Sequence, residues 1–248
     1  MDIPADLTWT AITLVSLSAI TTSIISAIAG MGGGILLLSI MTFFFPYHAL
    51  VPVHGIAQIV SNFSRAFLLR SHINKKMFYT YALGVPFGAA LSIYLIKSIE
   101  NPDAALILIG FLLLYTVFKP KKLPPIMIPI WAFFFLGVLC GTLGILIGAI
   151  GPLIAPFMLR TDLKKENIIA TKASFQIVTH LMKIPSFLYL GFNYIEYIVP
   201  ILLLIICPFI GTNIGIKILK NIDEKKFRLI FKAALLMAAL RIFFYKLS

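Results

Sequence analysis

The chain has 248 residues, 60% hydrophobic and 12% charged, with a formal net charge of +12. A soluble domain carries about 25% charged residues, so this composition excludes a soluble globular fold, and its apolar content excludes disorder. Cys140 and Cys207 both lie in apolar runs, which excludes a disulfide scaffold and a cysteine zinc site.

The sequence predicts apolar segments at about 8–29, 33–45, 50–69, 77–97, 104–118, 127–147, 152–159, 167–190, 194–218 and 227–245. A membrane helix needs roughly 20 apolar residues. Eight of the segments are long enough. The two that begin at 33 and 152 are short. Each follows a glycine-rich break, Gly30-Met31-Gly32-Gly33-Gly34 and Gly148-Ala149-Ile150-Gly151-Pro152. The opening Met1-Asp2-Ile3-Pro4-Ala5-Asp6 is acidic where a cleavable signal needs positive charge.

The basic residues sit mainly in short loops. Arg70, Lys75 and Lys76 share one, and Lys119, Lys121 and Lys122 another. Arg160, Lys164 and Lys165 share a third, and Lys217, Lys220, Lys225, Lys226 and Arg228 a fourth. Such loops are expected on the cytoplasmic side, facing anionic lipid. The N-terminus and the stretches 46–53, 98–103 and 190–196 carry no Lys or Arg, so they are expected outside. The alternation requires the two short segments to reverse the chain, either crossing tilted or re-entering as half-helices. Arg241 and Lys246 at the C-terminus run against this scheme. Nucleic-acid binding is not expected, since no soluble module exists to do it.

The two halves align without gaps at an offset of 118 residues. Gly30 and Gly33 fall on Gly148 and Gly151, Gln58-Ile59-Val60 on Gln176-Ile177-Val178, Ser61 on Thr179 and Arg65 on Lys183. Equivalent loops have opposite charge character, which predicts inverted topology. The expected fold is an all-α polytopic membrane protein with two inverted repeats, about 8–118 and 127–245. It would have eight long spans and two short half-helices in a single transmembrane domain, 1–248. In secondary transporters, broken helices at matching positions of two inverted repeats mark the substrate site.

Two polar stripes flank those breaks. His54, Gln58, Asn62 and Arg65 recur at helical spacing, as do Lys172, Gln176, His180 and Lys183 at the equivalent positions. A charged residue near the centre of a span costs roughly 2.5–3.5 kcal/mol on insertion scales, so both stripes are expected to face the interior. The bland readings are helix–helix glue for Gln58, Ser61, Gln176 and Thr179, snorkelling for Arg65 and Lys183, an outer interfacial position for His54, and close packing for the glycines. All nine carboxylates, Asp2, Asp6, Glu100, Asp103, Asp162, Glu166, Glu196, Asp223 and Glu224, lie in tails, loops or helix ends. An interior with bases and amides but no acids selects an anion. The glycine breaks add free helix N-termini, which attract anions, and glycine lets the backbone approach a ligand closely. No enzyme motif is present: there is no H-E-x-x-H, no nucleophile elbow and no phosphate-loop lysine.

The run Gly30-Met31-Gly32-Gly33-Gly34, the pattern His54-Gly55-x-x-Gln58-x-x-x-Asn62-x-x-Arg65, and the echoes Gly148-x-x-Gly151-Pro152 and Ala170-Thr171-Lys172-Ala173-x-x-Gln176-x-x-x-His180 resemble the sulfite exporter TauE/SafE family of permeases over essentially the whole chain. The resemblance implies transport of a sulfur-containing anion, such as sulfite, sulfoacetate or another organosulfonate, across a bacterial or archaeal cytoplasmic membrane. The second break ends in Pro152, which has no N–H to offer an anion.

The expected site comprises Gly30, Gly32, Gly33, Gly34, His54, Gln58, Asn62, Arg65, Gly148, Gly151, Lys172, Gln176, His180 and Lys183. Lys172 and His180 would supply charge, the amides hydrogen bonds, and Arg65 and Lys183 would guide the ion at opposite mouths. No cofactor or metal is expected. The partners would be the anion and the bilayer, with His54 or His180 as proton carrier if transport is coupled. An anion channel, and a membrane scaffold or sensor subunit, stand as the other two readings.

Overall fold

A computed structural model describes residues 4–96 and 126–247, and the segment expected at 104–118 lies outside them. Among the described residues the fold is all-helical, with nine α-helices. In chain order they are α1 (Trp9–Ala29), α2 (Gly33–Met41), α3 (Tyr47–Leu68), α4 (Lys75–Ile96), α5 (Ala132–Ile147), α6 (Gly151–Met158), α7 (Lys165–Tyr189), α8 (Ile198–Lys220) and α9 (Glu224–Leu247). Three of them, α1, α4 and α8, are long and apolar enough to cross a membrane.

Local chemistry explains the boundaries. The Thr8 hydroxyl accepts from the Ala11 N–H and starts α1. Gly30, at φ 71°, ends it, and Gly148, at φ 88°, ends α5. This left-handed conformation satisfies the last carbonyls of a helix and favours glycine. Each break restarts within three residues as a short helix, nine residues for α2 and eight for α6. At roughly 1.5 Å per residue neither crosses a bilayer. The segment expected from 127 becomes helical only at Ala132, because a turn from Pro129 precedes it. The resulting α5 has sixteen residues and is shorter than a full span.

Packing is pairwise. Helix α1 lies along α8, α4 along α5, and α3 crosses α7 at the centre. Helix α3 also touches α8, and α7 touches α4. Glycines set the two outer contacts. A Cβ on Gly84 or Gly88 would overlap the carbonyl oxygen of Phe134 or Val138, and one on Gly137 or Gly141 that of Tyr81 or Val85. On α8, a Cβ on Gly211 would overlap the Ile20 carbonyl oxygen, and one on Gly215 would lie 2.6 Å from Ala27 Cβ. Small residues four apart let two backbones touch where lipid supplies no hydrophobic drive between helices.

The molecule wears its apolar side chains outward. Tyr79, Leu83, Phe87, Leu91 and Tyr94 form an exposed row on α4, and Phe135 and Leu139 of α5 do so with Trp131 at its N-cap. In water such rows would be an aggregation hazard; against acyl chains they are the ordinary exterior of a spanning helix. The buried apolar residues form two clusters. One joins α4, α5, α6 and α7 with Phe227 and Phe231 of α9, Ala27 and Ala29 of α1 and Ile216 and Leu219 of α8, and the other joins α1, α2, α3 and α8.

The basic 160–165 loop is ordered by ion pairs and carbonyl contacts. Arg160 pairs with Asp162 at 2.9 Å, and Arg228 donates to the Arg160 and Leu163 carbonyls. Glu224 accepts from the Lys165 N–H at 2.7 Å, and the Lys165 ammonium donates to the Ile222 carbonyl. At the opposite ends of α7 and α8, the Tyr197 hydroxyl donates to Asp6 at 2.9 Å and meets His48 Nε2 at 3.0 Å.

Candidate functional site

The two breaks face each other across one buried cavity. Its lining comes from α1 (Ser26), the first break (Met31, Gly32), the first turn of α2 (Gly34, Ile35), the second break (Ala149, Ile150), the first turn of α6 (Gly151, Pro152), and the α3 and α7 stripes (His54, Gln58, Lys172, Gln176, His180). The first amides of a helix have no partner within it. Those of Gly34, Ile35, Gly151 and Leu153 find none elsewhere among the described residues. Both short helices therefore aim a positive dipole end at the same space. No carboxylate lines it. The space is small: about 10 Å³ of room for the centre of a water-sized sphere. That admits about one water and no sulfite or sulfonate, so this conformation is closed around its cavity.

The two glutamines occupy equivalent places. A Cβ on Gly34 would lie 2.9 Å from Gln58 Oε1, and one on Gly151 would lie 3.4 Å from Gln176 Nε2. Glycine at position 34 makes room for the Gln58 amide, whereas at position 151 a Cβ would only touch Gln176. Neither glutamine side chain makes a hydrogen bond among the described residues, although Gln58 is only 4% exposed and Gln176 7%. Both line the cavity, where their amide groups are free to meet a ligand.

His54 Nε2 lies 2.8 Å from the Gly34 carbonyl oxygen. A carbonyl only accepts, so Nε2 carries the proton and Nδ1 is left as an acceptor. Nδ1 of His54 and Nδ1 of His180 have no partner among the described residues, and the two rings meet edge to face at 6.1 Å.

The cations are placed differently from one another. Arg65 makes four hydrogen bonds: to the Ser61 carbonyl, the Ser26 carbonyl, the Ser26 hydroxyl and, at 2.6 Å, Asn62 Oδ1. Asn62 in turn donates to the Gln58 carbonyl at 2.7 Å. Lys172 donates to the Gly30 carbonyl at 2.6 Å, and Lys183 to the Gly148 carbonyl at 2.6 Å. Gly55 leaves the passage for Lys183, since a Cβ there would lie 3.1 Å from its Cδ.

A model of the sulfite exporter TauE/SafE family matches residues 15–242 of the chain. The chain belongs to that family. No curated protein and no solved structure matches it. TauE/SafE proteins are transporters, not enzymes, and this member is a multi-pass membrane protein.

Of the fourteen positions singled out in this TauE/SafE chain, Gly32, Gly34, His54, Gln58, Gly151, Lys172, Gln176 and His180 line the cavity. Gly30 and Gly148 form the turns behind it, Gly33 packs its Cα on the Thr22 carbonyl, and Asn62 and Arg65 brace the end of α1. Arg65 and Lys183 are 1% and 0% exposed. Neither stands at a mouth or reaches a headgroup. Their hydrogen bonds hold them inward on the ends of α1 and α5. The glue reading fits Ser61 and Thr179: Ser61 Oγ meets Thr212 Oγ1 of α8 at 3.0 Å, and Thr179 Oγ1 meets the Tyr81 hydroxyl of α4 at 2.8 Å. Sequence reasoning missed Ser26, which lines the cavity and binds Arg65. Its position one turn before the first glycine break was the available signal.

Proposed function

We propose that the chain carries a small sulfur-containing oxyanion, sulfite or an organosulfonate, by alternating access between two inverted repeats. The observation that carries this reading is the convergence of two half-helix N-termini and two unpartnered glutamines on one buried, acid-free cavity. The helix N-termini donate hydrogen bonds, each glutamine NH2 can do so as well, and no carboxylate lines the cavity to hold a cation. Lys172, 1% exposed, adds the charge.

Paired contacts support the repeat. Helices α1 and α8 are held through glycines, as are α5 and α4. The Ser61–Thr212 contact of α3 with α8 has its counterpart in the Thr179–Tyr81 contact of α7 with α4. Exchanging the halves about 8–118 and 127–245 carries each helix pair onto the other, with Ser61 on Thr179, while the remaining contact residues differ. The closed cavity favours a carrier over an open channel, because a channel needs a continuous path. We place the N-terminus outside a bacterial or archaeal cytoplasmic membrane and the 160–165 loop inside, from the loop charges. An inside-negative potential of 100 mV then favours exit of a monoanion by about 2.3 kcal/mol. Uptake needs coupling, and the free Nδ1 acceptor of His54 is the place for a proton that enters with the anion.

The test is flux in proteoliposomes. Hydrogen bonds to a charged partner contribute about 1.5–3 kcal/mol each. Replacing Gln58 and Gln176 together by Leu is expected to cut saturable sulfite or sulfoacetate flux by roughly tenfold or more, with the protein still monodisperse. Undiminished flux in that double variant removes the cavity from the transport path.

A further inference from the structure

Lys172 and Lys183 differ from Arg65 in how they are satisfied. The guanidinium has four partners. Each lysine has one, a backbone carbonyl, among the described residues. An ammonium has three donors, so two N–H groups on each remain unmatched at 1% and 0% exposure. Full burial of such a group with one neutral partner is costly. A structure that needed only a brace would have no use for the surplus donors.

The two carbonyls are also a matched pair. Gly30 and Gly148 are the left-handed residues that end α1 and α5 and begin the two breaks. Carbonyls at a helix C-terminus lack intrahelical partners and sit at the negative end of the dipole. Each lysine thus ties one break to α7. Positions 172 and 183 are eleven residues apart, three turns along one face and roughly 16 Å of helix. One helix therefore holds both breaks, one near each end of the α3–α7 crossing. Lys172 lines the cavity, and Lys183 passes over Gly55, the neighbour of the cavity residue His54.

We propose that the Lys172–Gly30 and Lys183–Gly148 hydrogen bonds are the two latches of the transport cycle, each closing the cavity toward a different side. Both are made in the closed conformation described here. The glycine crossings fix α1 to α8 and α4 to α5, so a released break moves relative to α7 without separating either pair, while the other break stays tied. Opening one latch at a time is what alternating access requires. The trigger rests on the anion reading above: an oxyanion pairs full charge with the ammonium, where the glycine carbonyl is a neutral acceptor, and draws the ammonium off its glycine.

The latches are tested by side-specific labelling of the full-length chain in sealed vesicles. Cys140 and Cys207 are replaced by Ala, and Ala149→Cys supplies the only thiol, on the cavity wall. A membrane-impermeant maleimide is added outside or inside. With both lysines present, labelling is expected to be slow from both sides. Lys172→Met is expected to accelerate it by roughly tenfold from one side, and Lys183→Met by a similar factor from the other. Acceleration from the same side in both variants, or in neither, overturns the proposal. Should a Met variant fail to fold, Lys172→Gln and Lys183→Gln decide. They keep a donor but no charge, so labelling stays slow and the acceleration that sulfoacetate causes in the parent chain disappears. A Gln variant that responds to sulfoacetate like the parent overturns the latch. Opposite-side opening in the Met variants, with no sulfoacetate response in the parent, keeps the latches and rejects the sulfonate reading.

Discussion

Gly84, Gly88, Gly137 and Gly141 lie within regular helix at the α4/α5 crossing, whereas Gly30 and Gly148 carry positive φ at the ends of α1 and α5. Both groups use the missing Cβ, but for different reasons. At the crossing it lets two backbones touch. At the breaks it lets the chain turn and exposes a carbonyl for a lysine. Gly34 and Gly151 belong to a third group, with helical backbone and a glutamine amide beside the missing side chain. The comparison teaches that one residue type builds the rigid helix pairs, the turning points and the cavity wall. The three uses should separate by the size and kind of damage that a side chain does.

The largest loss is expected at the crossing. Gly137→Leu drives a side chain into the Tyr81 carbonyl, which neither helix can avoid without separating. Stability should fall by more than about 3 kcal/mol, seen as loss of the monodisperse peak in detergent. A well-folded Gly137→Leu protein would mean that the α4/α5 contact is looser than described.

An intermediate loss is expected at the turn. Gly30→Ala keeps the left-handed φ of 71° and brings a methyl to 3.0 Å from the Phe231 ring. The conformational cost is about 1–2 kcal/mol. Thermal unfolding should show a lower midpoint in a protein that still folds. An unchanged midpoint would place the strain elsewhere.

At the cavity wall the expected damage is functional. Gly151→Ala adds a methyl 3.4 Å from Gln176 Nε2 and 3.6 Å from Lys172 Nζ, ordinary contact distances. The unfolding midpoint should change little, within about 1 kcal/mol. Sulfoacetate-dependent stabilisation should be lost, because the methyl fills the space of the closed cavity. A midpoint drop as large as that of Gly30→Ala would erase the distinction between wall and turn.

The smallest effect is expected far from any glycine. Hydrogen bonds from Arg160 hold the Asp162 carboxyl below its ordinary range. A lowered folded-state pKa stabilises the fold above the unfolded carboxylate pKa. That contribution is lost as pH falls through the lower, folded value. Asp162 is largely exposed, so solvent screening limits the effect to less than about 1 kcal/mol. Asp162→Asn should therefore flatten only the acid end of a stability-versus-pH curve. A shift at neutral pH would reveal a larger role for the 160–165 loop.

Much of the site was legible because its signals are local. Two glycine runs, two polar stripes at helical spacing and the absence of interior acids can be read from a string of letters. The partners of the cations could not be read. Lys172 and Lys183 bind backbone carbonyls, which every residue has, so no side chain in the sequence advertises them. Arg65 and Lys183 were expected at mouths because both lie toward helix ends. Ser26, Asn62 and the end of α1 hold the first inward, and Gly148 holds the second. The start of α5 was misplaced for a related reason: hydropathy continues through Ile128-Pro129-Ile130, but the proline delays the helix.

Composition by itself determined that the chain is a membrane protein, since so few charges cannot solvate so much apolar surface. Spacing determined which residues share a helix face, because the helical period is fixed by backbone geometry. Tertiary structure alone decided which of those residues meet the cavity, which brace a helix end and which bind the carbonyl of a break. Those roles depend on where a distant stretch of backbone passes, and hydrogen-bonding carbonyls are the same at every position until the fold brings one within reach.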